Sequence, residues 1–173
     1  HTKETVLLND TLWRAEAPSP YGWVESPEWS ADGSRLVFTV DYDGYPREMF
    51  VATFHNNHPV IQKVRRIDEV SLGSAPEWIS DTHDLVYIAE QGSRRPLLRI
   101  TNVGNGIQGV TDPLITNNLS CWDYSFAKNA DDYIAIVDST ITLACVVNGT
   151  EDPNFVTIIA NPNEHIQEWN LPS

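Results

Sequence analysis

Short apolar runs of strand length, separated by polar turn clusters, recur along the chain. Leu36-Val37-Phe38-Thr39-Val40 is the first clear run; the turn Asp41-Tyr42-Asp43-Gly44 leads to a second at 48–54, and after the polar tip 55–59 a third spans 60–67. Runs rich in β-branched and aromatic residues, bounded by Gly, Pro, Asn and Asp, predict strands, and no window carries a sustained helical period. A second series follows in the same order, with runs at 85–89, 97–103 and 107–111 and turns at 90–96 and 104–106. A third has runs at 133–137, 141–147 and 155–159.

Each of the first two series opens on the same phrase. Ser26-Pro27-Glu28-Trp29-Ser30-Ala31-Asp32-Gly33 precedes the first, and Ala75-Pro76-Glu77-Trp78-Ile79-Ser80-Asp81-Thr82 the second, with the tryptophans 49 residues apart. The third opening, residues 124–131, lacks the Trp-Ser pair; placing Ile134 level with Leu85 repeats the interval of 49. A period of this size signals a repeat architecture, and four antiparallel strands per repeat describe a β-propeller blade. The expected fold is therefore all-β: three to four four-stranded antiparallel blades, as an open arc or as part of a larger propeller. One unit covers residues 1–173: a leading strand and linker at 1–25, blades at 26–68 and 75–112, a degenerate blade at 121–160 and a tail at 161–173. Trp29 and Trp78 are expected to pack between blades.

The phrase and its sequel, Leu36 through the Asp41-Tyr42-Asp43-Gly44 turn to Val51, resemble the blades of TolB-like propellers, as do Val64-Arg65-Arg66-Ile67 and Gln108-Gly109-Val110-Thr111-Asp112. The resemblance covers roughly residues 26–147; it is closest in the first repeat, and Asp81-Thr82 departs from it by lacking the turn glycine. It implies a propeller scaffold, and similar propellers accompany the hydrolase domain of prolyl-oligopeptidase-like peptidases. Closed propellers typically have 4–8 blades, more than 173 residues supply at this period. A fragment of a longer propeller, a ring or stack of several copies, and a small ring completed by the chain's own ends all remain open; His1 in place of an initiator Met favours a processed chain or fragment.

Charge narrows the partners. Eleven basic against 24 acidic residues give a net charge of −13, which opposes binding to phosphate backbones, so no nucleic acid is expected. No apolar run is long enough for a helical membrane span. Asn9-Asp10-Thr11, Asn118-Leu119-Ser120 and Asn148-Gly149-Thr150 are glycosylation acceptor triplets. Cys121 and Cys145 are the only cysteines and allow one disulfide that would pin the third repeat, the alternative being two buried thiols. With the acidity and the TolB-like resemblance, these signs point to an extracytoplasmic address: secreted, periplasmic or cell-surface.

Candidate chemistry is sparse. There is no Gly-x-Ser-x-Gly elbow, phosphate loop, dinucleotide fingerprint or Cys-x-x-Cys pair. His55 and His58 flank Asn56-Asn57 and read as a hairpin tip. Asp41 and Asp43 have part of a calcium-loop spacing, but Phe50 stands where a bidentate glutamate is needed. Asp131-Asp132 and Glu151-Asp152 read as solvated turns, and Arg65-Arg66 and Arg94-Arg95 as outer strand ends. No catalytic residue, metal or cofactor is assigned. The aromatic residues Trp13, Tyr21, Trp23, Tyr42, Tyr45 and Trp122 fall at loops or strand starts and are the binding candidates, for a protein partner, a second copy or a glycan. The expectation is a non-enzymatic extracytoplasmic module for protein binding or self-assembly, up to a polymeric surface structure. The alternative is the propeller portion of a prolyl-oligopeptidase-like hydrolase or of a carbohydrate-active enzyme.

Overall fold

The computed structural model describes residues 14–55, 58–65, 70–104, 111–115, 118–127, 132–140, 143–150, 152–153 and 156–166. Strands dominate, and the described helical turns are two short 3-10 segments, Arg14–Glu16 and Glu164–Ile166. The strands form three antiparallel sheets. Sheet I holds β1 (Gly22–Trp29), β2 (Arg35–Tyr42), β3 (Tyr45–His55) and β4 (His58–Val64) in that order. Sheet II holds β5 (Ser71–Leu72), β6 (Glu77–Trp78), β7 (Leu85–Glu90), β8 (Leu97–Ile100) and β9 (Thr111–Pro113), with β5 and β6 both pairing with β7. Sheet III runs β10 (Ser120–Phe126), β11 (Asp132–Asp138), β12 (Cys145–Thr150), β13 (Val156–Ala160).

The second strands of the first two repeats are apolar at both parities because both of their faces are covered, a pattern that alternation alone would not give. In β2 the even positions Leu36, Phe38 and Val40 lie in one buried cluster with Phe50 and Ala52, on what we term the front of sheet I. The odd position Val37 turns to the back, where Met49 and Val51 join it against Leu85, Tyr87, Leu98 and Ile100 from the front of sheet II. Val86, Ile88 and Leu97 on the back of sheet II meet Tyr133, Ala135, Val137 and Val147 from the front of sheet III. The sheets therefore stack face to face in chain order. Among the described residues they close no ring.

Three matching backbone bonds align the repeats: Ser30 N–H to Arg35 O, Ile79 N–H to Asp84 O and Ala127 N–H to Asp132 O. This alignment corrects the third register, since Phe126 pairs with Tyr133 as Trp78 pairs with Leu85 and Trp29 with Leu36. Tyr133, not Ile134, is the equivalent of Leu85. The slip follows from face assignment: Tyr133 fills the front and sends its hydroxyl 2.6 Å to Leu114 O, and the interval shortens by one residue. Sheet I also begins earlier than its opening phrase, at Gly22, with an irregularity between Glu25 and Glu28 where Ser26 has φ 50°. In sheet II the same place is a complete break, so the leading strand is split into β5 and β6; in sheet III it is a bulge at Trp122. At the turn where Gly33 (φ 68°) serves repeat one, repeat two puts Asp81 (φ 59°) in the left-handed region, one position earlier. Asp tolerates that region better than most side chains, so the missing glycine is not needed.

The two tryptophans of the phrase have different fates. Trp78 is buried and its Nε1–H donates to the Glu28 carbonyl of sheet I at 3.0 Å, joining neighbouring leading strands. Trp29, expected in the same role, is 52% exposed and leans on Phe54 of its own sheet with ring centroids 5.1 Å apart. Sheet I has no described sheet in front of it to receive the indole. Substituting Trp78→Ala should cost about 3–5 kcal/mol, from lost burial and the cavity left behind. Trp29→Ala should cost about 1 kcal/mol, the scale of one aromatic pair. Urea unfolding of the two variants checks the contrast.

Candidate functional site

Two outer faces of the described stack have no described sheet against them, and they differ: the front of sheet I is buried at Leu36, Phe38 and Val40, whereas the back of sheet III is an apolar face left exposed. Register fixes its composition row by row. Ser125, Ile134, Asn148 and Thr157 are cross-strand partners in one row, while Asp123, Ile136, Val146 and Ala160 form the next. Shallow depressions over these rows share Ser125 and Ile134 in their lining. Position by position, Ile134 corresponds to Val37 and Val86, and Ile136 to Thr39 and Ile88, all four of which are buried. Ile134 is 48% and Ile136 41% exposed. Two β-branched side chains thus stand half exposed at positions that the other sheets cover.

A seam of polar groups runs along the leading strands up to this face. Besides receiving the Trp78 indole, Glu28 accepts the Trp78 backbone N–H on its carboxylate. Glu77 in the next sheet bonds to the Tyr124 side chain of sheet III, and Asp123 stands beside it. Burial is the main cause that raises the Glu28 carboxyl above its ordinary value, offset by the Trp78 N–H and reinforced by Glu77. For Glu77 burial again leads, followed by the charge of Asp123, with the Tyr124 bond opposing. Burial, then Glu77, raises the Tyr124 phenol, which stays neutral and can donate; it also reaches Val86 O at 3.4 Å. In the turn that follows β1, Asp32 accepts from Ser30 Oγ, from Ser34 N–H and Oγ, and from His83 Nε2 of sheet II at 3.1 Å. Those bonds hold its carboxyl well below the usual carboxylate range, the Ser30 hydroxyl first among them.

Of the aromatic candidates, Tyr21, Trp23 and Tyr45 are exposed and sit toward one end of sheet I, where Trp23 pairs with Asp41 and Tyr45 with Tyr42. Arg47 bridges Glu25 and Asp41 there at 3.1 and 3.5 Å. Tyr42 is not a surface anchor: it is buried on the front of sheet I, because position 42 continues the Leu36, Phe38, Val40 parity. Trp122 is exposed as the extra residue of the β10 bulge, and the Arg95 guanidinium lies 4.7 Å from its ring centre. It is two sheets away from the others, so no single aromatic site forms. Trp13 and the acceptor Asn9 lie outside the described residues. Asn118 is an exposed loop residue with φ 61°, and Asn148 lies on the open back face.

The proposed disulfide is also corrected. Cys121 and Cys145 are free, buried thiols, each paired with Val137 from opposite sides of β11. Two strand spacings separate them by roughly 10 Å, beyond the Cα separation of about 7 Å that a bridge tolerates. Burial pushes the Cys121 thiol up to about 12, so at neutral pH it is an inert packing group. Among the described residues no group of three or more His, Cys, Asp or Glu is placed to hold a metal ion. His55 and His58 face each other across the hairpin end as a strand pair. No described helix is long and apolar enough to cross a membrane.

Comparison with known proteins adds little chemistry. No protein-family model matches the chain, and no curated protein matches it. Among solved structures, a puromycin-hydrolyzing peptidase of Mycobacterium tuberculosis is similar at 13% identity and a TM-score of 0.49. The match covers 87% of this chain and 30% of the peptidase, so the chain spans under a third of that protein's length.

The open face and the carboxylate seam escaped the sequence reading, although both left signals. Tyr133-Ile134-Ala135-Ile136-Val137 is apolar at both parities, which implies two covered faces, and each Trp of the phrase is preceded by a glutamate. The seam carries a pH dependence. Because the folded values of Glu28 and Glu77 lie above the unfolded value of 4.5, their contribution is fully present below that value and is lost as pH rises through the folded values. Glu28→Gln with Glu77→Gln should therefore flatten the decline of the urea midpoint as pH rises above 4.5, and leave the variant the more stable protein once both carboxyls are ionised. Asp43→Asn, an exposed turn substitution that removes charge outside the seam, serves as the control.

Proposed function

We propose that the chain is a β-propeller segment of three blades that works by association rather than catalysis: an extracytoplasmic module that binds protein or further copies of itself. The observation that carries this reading is the exposure of Ile134 and Ile136 at positions that the other two sheets bury. Continuity with the existing interfaces defines what fits there. The occupant is another antiparallel sheet, offering an apolar front and a leading-strand donor level with Ser125, as Trp78 does for Glu28. A second copy presents the exposed Trp29 at its own front edge in that role, while the front of sheet I behind it is already buried in the free chain, so docking has to displace what covers that front; this is the partner we assign. A heterologous contact of this kind repeats head to tail, giving a filament or layer when its rotation does not close. The acceptor triplets and the acidic balance support the extracytoplasmic address. The absence of a convergent polar set among the described residues is why no reaction is assigned.

Sedimentation equilibrium over a concentration series tests this. The wild-type chain should associate, Ile134→Lys with Ile136→Lys should weaken association at least about tenfold, and Trp29→Ala should weaken it measurably while leaving the circular dichroism spectrum intact. A wild-type chain that stays monomeric at every concentration, with both variants indistinguishable from it, would sink the self-assembly reading.

A further inference from the structure

The triplet Asn148-Gly149-Thr150 lies in β12, and its three residues have separable structural reasons. Gly149 turns to the front of sheet III, where a Cβ would stand 2.3 Å from Tyr133 Cζ. Tyr133 is held by its bond to Leu114 O and cannot retreat, so glycine at 149 is imposed by packing. No such demand falls on Asn148. It turns to the back, between its partners Ile134 and Thr157 in the row that crosses all four strands. The equivalent positions hold Val51, buried against sheet II, and Arg99, paired with Asp84 at 2.6 Å. An asparagine at the centre of a strand face is disfavoured for β structure. Its amide here lines the open depression with Ser125 and Ile134.

We propose that Asn148 is an N-glycosylation acceptor whose glycan gates the docking face, so that a chain modified there cannot receive a second sheet. The proposal rests on the association reading above. In the modification Asn148 Nδ2 bonds to the anomeric carbon of an oligosaccharide carried on a lipid diphosphate donor. The carbon–oxygen bond to that diphosphate breaks, the lipid diphosphate leaves, and the amide proton passes to a base. The first sugar then stands directly over the row containing Ile134, in the space that a stacking sheet must fill. Asn118, in the loop before β10, belongs to neither row and provides an internal reference for modification that leaves the face clear.

The test is to express the full chain in a host that N-glycosylates secreted proteins and map occupancy by glycopeptide mass spectrometry. Molecules occupied at Asn148 are then compared in sedimentation with Asn148→Gln and Thr150→Ala, two independent ways of removing the acceptor. The expected result is occupancy at Asn148, association of both variants, and association of the occupied form weaker by at least about tenfold. An unmodified Asn148 beside a modified Asn118 overturns the acceptor assignment. Occupied molecules that associate as tightly as both variants overturn the gate while leaving the docking face intact. Failure of both unglycosylated variants to associate brings down the docking reading itself, and the gate with it, whatever the occupancy at Asn148.

Discussion

Everything in this molecule follows from strands that are apolar on both sides. A sheet whose central strands read Leu-Val-Phe-Thr-Val or Leu-Val-Tyr-Ile-Ala has no face to give to water, so it is stable only between two other layers. The chain meets that demand by stacking its sheets in order. Val37, Met49 and Val51 are covered by the sheet that comes next, and Val86, Ile88 and Leu97 by the one after. The rule that builds each interface also creates the need for another, and it leaves Ile134 and Ile136 with their apolar surface in water. At roughly 25 cal/mol per Å² of apolar area, that exposure is a standing drive toward contact.

Much of the architecture was legible because the repeat is spelled out in residues with strong local physics. Proline and tryptophan at the start of a strand, Asp-Gly at its end and a run of β-branched residues behind them fixed the strands of sheet I with little room for error. The third repeat was harder. Phe126 and Tyr133 do the work of Trp and Leu with different side chains, so the phrase does not mark the third register, and a shift of one residue in a strand exchanges its two faces. The exposed aromatic residues illustrate the converse problem. Tyr42 and Tyr45 are cross-strand partners around one turn, yet Tyr42 is interior and Tyr45 is exposed, so proximity to a loop does not decide burial.

The polar groups at the interfaces are arranged to be discriminating rather than adhesive. Glu28 and Glu77 each hold hydrogen bonds to the next sheet, yet both carboxyls are pushed toward the neutral form, first by burial and then by a neighbouring acid, Glu77 for Glu28 and Asp123 for Glu77. A contact of that kind adds little net attraction, while a mis-set sheet would leave a partly buried acid without its donor. Asp32, in the turn after β1, contributes in the opposite sense, since its bonds favour the charged form. The stack is thus balanced between groups that strengthen with acid and a group that weakens, within a chain whose overall charge is strongly negative.

The irregularity in every leading strand has a consequence for the direction in which such a body can grow. Ser26 and Pro27 in sheet I, the break between β5 and β6, and the bulge at Trp122 all interrupt the hydrogen-bond ladder within about one residue of the same level. A ladder broken in this way is a poor template for lateral strand addition, the route by which exposed sheets run into amorphous or amyloid-like aggregates. With the leading-strand edge blunted, contact across the flat of the sheet is favoured over contact along that edge. The bulges act as a filter that keeps sticky surface and stable surface from becoming the same hazard.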